Sequence, residues 1–364
     1  MAEIEGLGID LYSLHKTLLT PAHISSLAFG HAGHLFAGSD DGSLRVYDLS
    51  SFKVLKAIRG LESEVSSIIC VKRPGSELRD AWIACGRRIC KFQMDSSKMI
   101  QMREDAVSTI EVGESDEDIL NELAINTNKS HLAFSTDSGT VGVIDLLNNA
   151  VSTMKVKHES VCGSVKFIPE RAREIVSGGY DTNLIHFDFT QGTELSRQKM
   201  DPFINVGGMA LAPPFIMAMA MSPVGVLAAG TADGRLWIGF GGEKASADKK
   251  KKKTRIWEGL KREEALLIKV AEGPIVALTF TDPRTLIIST LMGLLTQYQL
   301  VYDETEGSVI LKQIWKKEST GIEKVNTLLA DDKRLVVGGF AANGKGVIEI
   351  WKQEAPHTSM DIPK

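Results

Sequence analysis

The sequence predicts an all-β fold, a seven-bladed β-propeller of four-stranded antiparallel blades. Two observations lead to this prediction. One phrase, in which small or apolar residues lead into an Asp-Gly-type turn, an alternating strand and an aromatic residue, recurs seven times along the 364 residues. Helical periodicity is almost absent. Short strands separated by turns at regular spacing are typical of all-β proteins, and repeats of about fifty residues match the size of propeller blades.

The repeated phrase is clearest at 34–49, which reads HLFAGSDDGSLRVYDL. Each copy follows a β-rich run, and most copies precede a further short strand, so each repeat supplies one blade. The other copies are 80–95, 131–146, 174–189, 225–240, 284–300 and 334–351. The predicted blades are 22–60, 65–103, 119–157, 161–200, 213–270, 274–317 and 325–353, in one domain that spans 1–354 and precedes a flexible tail, 355–364.

The seventh copy ends at Trp351 and leaves no residues for an outer strand. The early stretch IDLYSLHKTLL, residues 9–19, has the composition of a strand and can take that place. We therefore expect the N-terminal strand to pair with the last blade, which closes the ring and removes an exposed sheet edge.

Composition and charge disfavour several functional classes. The net charge is −4, with 42 basic and 46 acidic side chains, whereas dedicated nucleic-acid binders usually carry a basic excess. The four cysteines are too scattered for a disulfide framework, so Cys85 and Cys90 are expected to be reduced thiols on adjacent strands of a hairpin. Free thiols, together with an N-terminus that lacks an apolar signal region, predict a cytoplasmic or nuclear protein that is not secreted.

One uncharged stretch, Pro202 to Ala232, is long enough to span a membrane. It contains four prolines, and MSPVGVLAAG within it has the pattern of strand, turn, strand. The sequence therefore predicts two buried strands here rather than a membrane span.

The recurring phrase resembles the WD-repeat family, whose signature is Gly-His before the first strand, Asp-Gly in a turn, and Trp-Asp at the end of the third strand. Here His23 and His158 retain the histidine, and Tyr47-Asp48, Ile144-Asp145 and Phe187-Asp188 replace Trp-Asp. The resemblance implies a buried hydrogen-bond relay. The residues expected to serve as structural turn or relay positions are His23 and Asp41 in the first blade, His158, Ser177 and Asp181 in the fourth, and Asp233 in the fifth.

Residues 118–181 look most like the WD repeat-containing protein 53 subfamily, through the turn Asp137–Gly139 and the run His158–Cys162. The resemblance implies that the protein is a platform for protein–protein interactions. It would be a monomeric propeller that binds one or more proteins in a larger complex. The resemblance also implies a role as substrate receptor of a cullin-4 ubiquitin ligase. Such receptors commonly carry a Trp-Asp-x-Arg box, and here Ser50, Leu147 and Thr190 stand where the arginine would be.

The sequence contains no strong catalytic signal. GFAANGKG, Gly339 to Gly346, satisfies the first part of a phosphate-binding loop. However, Gly346 stands where Ser or Thr should be, and VIEIW continues as a strand instead of a helix. Asn343-Gly344 instead favours a hairpin turn. No metal or nucleophile motif is present. The sequence therefore predicts a protein that is not an enzyme and uses no cofactor or metal.

An acidic stretch lies between the second and third predicted blades, and its carboxylates are a candidate contact for a basic partner. The alternative is a solvated loop. If it is a contact, the protein could act as a chaperone or assembly factor for a basic client. The residues concerned are Glu111, Glu114, Asp116, Glu117 and Asp118.

A basic insertion, 243–256, interrupts the fifth blade with five consecutive lysines. Mutual repulsion predicts a mobile loop. Three roles are open: a solvated loop, a nuclear-import or docking signal, and a grip on nucleic acid assisted by Lys261 and Arg262. The residues concerned are Lys249, Lys250, Lys251, Lys252, Lys253 and Arg255.

Overall fold

The computed structural model describes residues 11–73, 79–116, 118–202, 212–241, 256–305 and 307–354. These residues form 29 strands and two 3-10 turns, Arg103–Asp105 and Arg262–Glu264. The strands are β1 (Tyr12–Thr20), β2 (Ile24–Phe29), β3 (His34–Ser39), β4 (Leu44–Asp48), β5 (Val54–Arg59), β6 (Val65–Lys72), β7 (Arg79–Cys85), β8 (Arg88–Gln93), β9 (Ile100–Met102), β10 (Ser108–Glu111), β11 (Leu120–Ile125), β12 (His131–Thr136), β13 (Val141–Asp145), β14 (Ala150–Thr153), β15 (Cys162–Phe167), β16 (Glu174–Gly179), β17 (Asn183–Asp188), β18 (Thr193–Lys199), β19 (Ile216–Met221), β20 (Val226–Thr231), β21 (Arg235–Phe240), β22 (Leu266–Lys269), β23 (Ile275–Asp282), β24 (Thr285–Thr290), β25 (Leu294–Asp303), β26 (Ser308–Glu318), β27 (Lys324–Ala330), β28 (Arg334–Phe340) and β29 (Gly346–Gln353).

The strands form seven sheets arranged as the blades of a propeller, which confirms the predicted fold class. From the centre outward the blades are β2-β3-β4-β5, β6-β7-β8-β10, β11-β12-β13-β14, β15-β16-β17-β18, β19-β20-β21-β22, β23-β24-β25-β26 and β27-β28-β29-β1. Because successive strands alternate in direction, the links between blades and the turns between second and third strands open on one face, which we call the link face. The remaining turns open on the opposite face.

The ring is closed by β1, which runs antiparallel to β29 from the pair Tyr12–Gln353 to the pair Thr20–Gly346. The predicted closing strand, 9–19, is thus observed at Tyr12–Thr20. The Tyr12 ring packs edge-on against Trp315 of the sixth blade, with ring centroids 5.2 Å apart. Closure therefore satisfies the edge of β29 and adds to the core between the last two blades.

The second blade differs from its predicted range, 65–103. Its outer strand is β10, beyond that range, while β9 leaves the blade and pairs in parallel with β5 of the first blade. Gln101 of β9 lies opposite Ile58 and is 3% exposed. The pattern of the segment predicts a strand, but which sheet it joins depends on contacts with residues far away in sequence.

The hydrophobic core is divided among the seven interfaces between neighbouring blades. Every inner strand begins with an apolar, completely buried residue, which is the first residue of six of these strands and the second residue of β27. These residues are Ile24, Val65, Leu120, Cys162, Ile216, Ile275 and Val325. Small residues of the preceding blade make room for them: a Cβ at Gly230 would lie 2.5 Å from Cγ2 of Ile275. The glycine positions of the repeated phrase are therefore explained by close packing between blades.

The remaining fold predictions concern the uncharged stretch and the glycine-rich run. Residues of Pro202 to Ala232 form β19 and β20, with 203–211 outside the described residues. Within the part of the chain that the structure describes, no helix has the length and apolarity to cross a membrane. The run from Gly339 to Gly346 lies in the hairpin between β28 and β29, where Gly344 has φ +74°. This is the predicted hairpin turn.

Candidate functional site

The relay of the fourth blade is assembled around His158, which lies in the link before β15. Its Nδ1 is 2.8 Å from Oδ1 of Asp181, and its Nε2 is 2.7 Å from Oγ of Ser177. The side chains of His158 and Asp181 are 0% and 4% exposed. Phe187, which is fully buried, adds no hydrogen-bond donor to the chain of bonds. A buried His and Asp satisfied in this way connect the link to the turn, and substrate cannot reach them.

These contacts stabilise the ionised form of the Asp181 carboxyl. Burial acts to raise the pKa of its carboxyl, but the bond to His158, the attraction of that side chain and the N–H of Glu159 outweigh burial, and the pKa is lowered to about 2. The carboxylate also accepts the backbone N–H of Asn183, which starts the third strand, at 3.1 Å. Asp181 therefore stays ionised at neutral pH as the central acceptor of the turn.

The first blade does not form the predicted pair of His23 with Asp41. His23 lies 3.2 Å from Asp40 instead and stacks on Phe340, with ring centroids 4.2 Å apart. Asp41 accepts the N–H and hydroxyl of Ser43 at 3.0 and 2.6 Å. The reason is position along the link: His158 precedes its strand by four residues, whereas His23 immediately precedes β2. His23 therefore lies too near the strand to reach the turn aspartate.

Asp233 of the fifth blade, predicted to be a turn residue, has an arginine rather than a histidine as its partner. Nε of Arg235 donates to its Oδ2 at 2.7 Å, and the hydroxyl of Thr231 donates to its other oxygen. The Asp233 and Arg235 side chains are 1% and 8% exposed. Nη2 of Arg235 also donates to the Asp201 carbonyl at 2.6 Å. This buried pair fastens the preceding link to the turn of the fifth blade.

The acidic stretch does not present a row of free carboxylates. Asp118 is buried and accepts the N–H and hydroxyl of Ser138 at 3.0 and 2.8 Å. Glu114 pairs with Lys157 at 2.8 Å. Asp116 and Glu111 both approach Arg87. Glu117 lies outside the described residues. Neighbouring cations therefore compensate the stretch, and Asp118 is a structural residue that joins the link to the turn of the third blade, as His158 does in the fourth.

The basic residues predicted in the insertion lie outside the described residues: Lys249, Lys250, Lys251, Lys252, Lys253 and Arg255. The residues that follow are described. Trp257 is 2% exposed and packs in the core between blades four and five. Lys261 and Arg262 lie 2.9 Å from Glu258 and 2.8 Å from Asp201. These three residues thus offer little to nucleic acid, because the ring that could stack on a base is buried and both cations are paired.

Two buried carboxylates were not identified from the sequence. Glu174 accepts from Nε2 of His186 at 2.9 Å and from the backbone N–H of Trp257 at 3.0 Å. Glu349, completely buried in the seventh blade, accepts from the N–H groups of Thr320 and Gly321 and from the Trp351 indole. Each carboxylate fastens a segment from a neighbouring blade. The one available signal was a charged residue inside an alternating apolar strand.

The central channel is lined by the inner strands and has a volume of about 620 Å³. Its mouth on the link face is set by the residue that follows the buried apolar residue at the start of each inner strand. That residue is polar in blades one, two, three and seven, and small or apolar in blades four, five and six. The polar residues are Ser25, Ser66, Asn121 and Asn326, and the others are Gly163, Met217 and Val276.

Beside each half of the mouth, the link face carries side chains of the same character. Asp40, Glu64 and Asp137 lie beside the polar half, and we call them the acidic trio. Burial, then repulsion from Asp40 and Asp137, raises the pKa of Glu64, so both aspartates lie near enough to act on the Glu64 carboxylate. On the apolar side the Tyr180 and Phe215 rings stack with centroids 5.5 Å apart, and Met292 is 66% exposed.

No metal site emerges from the described chain, because no three His, Cys, Asp or Glu side chains in it are grouped closely enough to hold an ion. Cys85 and Cys90 are free thiols, with sulfur atoms 3.9 Å apart on β7 and β8.

The fold and the relay define a class, and comparison with known proteins agrees with it. The family model for the WD domain, G-beta repeat, matches residues 13–48, which are the closing strand and three strands of the first blade. In its propeller fold and in this matched stretch, the chain is similar to WD-repeat β-propellers. It is similar to the WD repeat-containing protein 53 homolog of Dictyostelium discoideum, with 24% identity over 165 residues. That match covers 44% of this chain and 42% of the relative, so it spans less than half of the relative's length.

Proposed function

We propose that the protein is a non-catalytic scaffold that binds protein partners on its link face, around the mouth of the channel. The observation behind this proposal is the division of that mouth into an acidic, polar half and an apolar half. WD-repeat propellers are generally interaction scaffolds, and the buried polar groups of the relay serve the fold. The link face around the channel mouth carries both charged and apolar side chains that the relay does not use.

The acidic trio favours a basic segment as the partner. Among the described residues, no lysine or arginine pairs with Asp40, Glu64 or Asp137. An incoming lysine or arginine would relieve their mutual repulsion, and apolar side chains beside it would cover Tyr180, Phe215 and Met292. This arrangement supports the hypothesis of a basic client. The client would contact the acidic trio, and not the stretch 111–118, whose charges are paired with neighbouring cations. Electrostatic attraction would then speed the encounter and lose strength with added salt.

Affinity purification from cells that contain the protein tests this proposal with three baits. One is the native chain, one carries D40N, E64Q and D137N, and the control carries E170Q, E304Q and D332N in turns on the opposite face. We expect a partner with a basic segment to be captured by the native and control baits and lost with the link-face bait. Recovery of the same proteins by all three baits would contradict it.

The role of substrate receptor for a cullin-4 ligase stays a prediction. Asp48, Asp145 and Asp188 each cap their own turn by accepting a backbone N–H two residues on, at 2.9 to 3.0 Å. No arginine stands at those following positions. The same purification examines this role, because a receptor must co-purify with the ligase adaptor.

A further inference from the structure

A second concave site lies on the opposite face, between the first and second blades, and takes no part in the function proposed above. It is a pocket of about 60 Å³ between the first turn of blade one and the ends of β6, β7 and β8. By the space that one water needs, about 10–15 Å³ on the same measure, it has room for about four to six non-hydrogen atoms. That is the size of one branched aliphatic side chain.

The walls of the pocket are mainly apolar. Phe36 and Val46 are 4% and 2% exposed, and Met94 and the partly exposed Leu55 also line the pocket. Burial raises the pKa of the Cys70 thiol to about 12, so this wall carries no charge at neutral pH. Such walls favour an aliphatic group over a hydrated ion.

Two hydrogen-bonding atoms of residues that line this pocket are buried and have no partner among the described residues. They are Nε2 of His31 and Nε of Arg79. Nearly all buried polar atoms in proteins are hydrogen-bonded, so two unpaired atoms lining one cavity call for an explanation. The Arg79 atom is a donor, and the His31 atom is a donor in one neutral tautomer. Both would be satisfied by one group that offers two acceptor oxygens.

The charges around the pocket favour an anionic acceptor. Asp80 is already held by Arg73, whose Nε donates at 2.7 Å, and by Lys91 at 3.3 Å. Asp95 accepts the backbone N–H of Arg79 at 2.7 Å. Among the described residues, no carboxylate forms an ion pair with the Arg79 guanidinium. Burial, followed by repulsion from Arg79, lowers the pKa of both His31 and His34, which places this guanidinium near both rings.

We propose that this pocket binds an aliphatic side chain joined to a carboxylate. The aliphatic group would fill the space between Phe36, Val46 and Met94, and the carboxylate oxygens would accept from His31 and Arg79. A protein C-terminus that ends in leucine has this chemistry, and so does a free branched-chain acid. The site is separate from the link face, so this proposal can be tested independently of the proposed scaffold function.

Calorimetry and NMR titration of the full-length protein test the proposal with three probes. These are 4-methylpentanoate, an acetylated tripeptide that ends in leucine with a free carboxylate, and the same tripeptide as its amide. We expect the acid peptide to bind about tenfold or more tightly than the amide, because the amide loses a charged hydrogen bond. Binding of 4-methylpentanoate alone would assign the site to a small molecule, and binding of the acid peptide alone to a C-terminus. Both results support the proposal, as does binding of both acids.

Equal binding of acid and amide, or no binding of any probe, would overturn it. The variant Arg79→Gln should weaken binding of the preferred acid at least about tenfold. The control Arg59→Gln, at the end of β5 in the first blade and outside the pocket lining, should not weaken it. Unchanged affinity in Arg79→Gln would also overturn the proposal. The melting temperature of Arg79→Gln shows whether this variant folds. If it does not fold, the difference in affinity between the acid and amide peptides for the native protein still tests the proposal.

Discussion

At the scale of single residues, two aspartates with the same place in their hairpins have different roles. Asp41 and Asp181 are each the second residue after the second strand of their blade. Asp181 is buried and linked to His158, while Asp41 bonds only within its own turn, to Ser43. The difference arises from the histidine, since His23 lies three residues nearer its strand than His158 does.

These two aspartates form a matched pair for a stability test. Replacing Asp181 by alanine should lower the free energy of unfolding by about 3 kcal/mol, because it leaves His158 buried without its partner. Replacing Asp41 by alanine should cost about 1 kcal/mol, since it removes bonds within one exposed turn. Urea unfolding monitored by tryptophan fluorescence measures both. Equal losses would mean that the relay of the fourth blade adds nothing beyond a turn cap.

The Asp181 contribution should also depend on pH. Its pKa is lowered from 3.8 to about 2 in the folded protein, so its ionised form stabilises the fold above about pH 4. That contribution, roughly 2 kcal/mol, is lost as the pH falls towards the folded pKa. The difference in unfolding free energy between native protein and D181A should therefore shrink between pH 5 and pH 2. A difference that stays constant over this range would refute the assignment.

At the scale of elements, the blades meet through a small residue on one sheet and an apolar residue on the next. Replacing Gly230 by alanine would place a Cβ 2.5 Å from Ile275, and we expect a loss of about 1–3 kcal/mol from this overpacking. Gly273, where a Cβ meets nothing within 4 Å, is the control and should tolerate alanine within about 0.5 kcal/mol. Denaturant midpoints of the two variants provide the comparison.

The closing strand is the second element that can be tested. Deleting residues 1–20 removes β1, exposes the edge of β29 and takes away the Tyr12 contact with Trp315. We expect a lower melting temperature and association that grows with protein concentration, because an open edge pairs with other chains. Deleting only 1–10 keeps β1 and is the control. A monomeric, equally stable 21–364 fragment would show that closure is dispensable.

At the scale of the whole molecule, the basic insertion is predicted to be independent of the propeller. Deleting Ala245–Lys253 removes none of the contacts among the described residues, so the melting temperature should be unchanged. Trp257→Ala, a few residues further on, is the positive control and should cost about 3–5 kcal/mol because that ring is buried. Thermal unfolding compares the two variants. A large drop on deletion would mean that the insertion is part of the fifth blade.

The candidate site was predictable only in part. His158, Ser177 and Asp181 could be related to one another because the repeat gives each a fixed place relative to its strand. Asp118 could not, since its acidic neighbours suggested a solvated loop. Its burial depends on a turn twenty residues later. The bond from Trp257 to Glu174 joins residues 83 apart, and no local pattern signals it.

The sequence by itself determined the number of blades, the alternation of their strands, the small residues between them and the closing N-terminal strand. These features repeat at a short and regular spacing, because each blade must bury the same faces. Only the tertiary structure decided that β9 joins the first blade, that His23 pairs with Asp40, and that the mouth of the channel has an acidic and an apolar half. The same holds for the pocket between Phe36 and Arg79. Each of these depends on which distant segments become neighbours when seven similar sheets close into one ring.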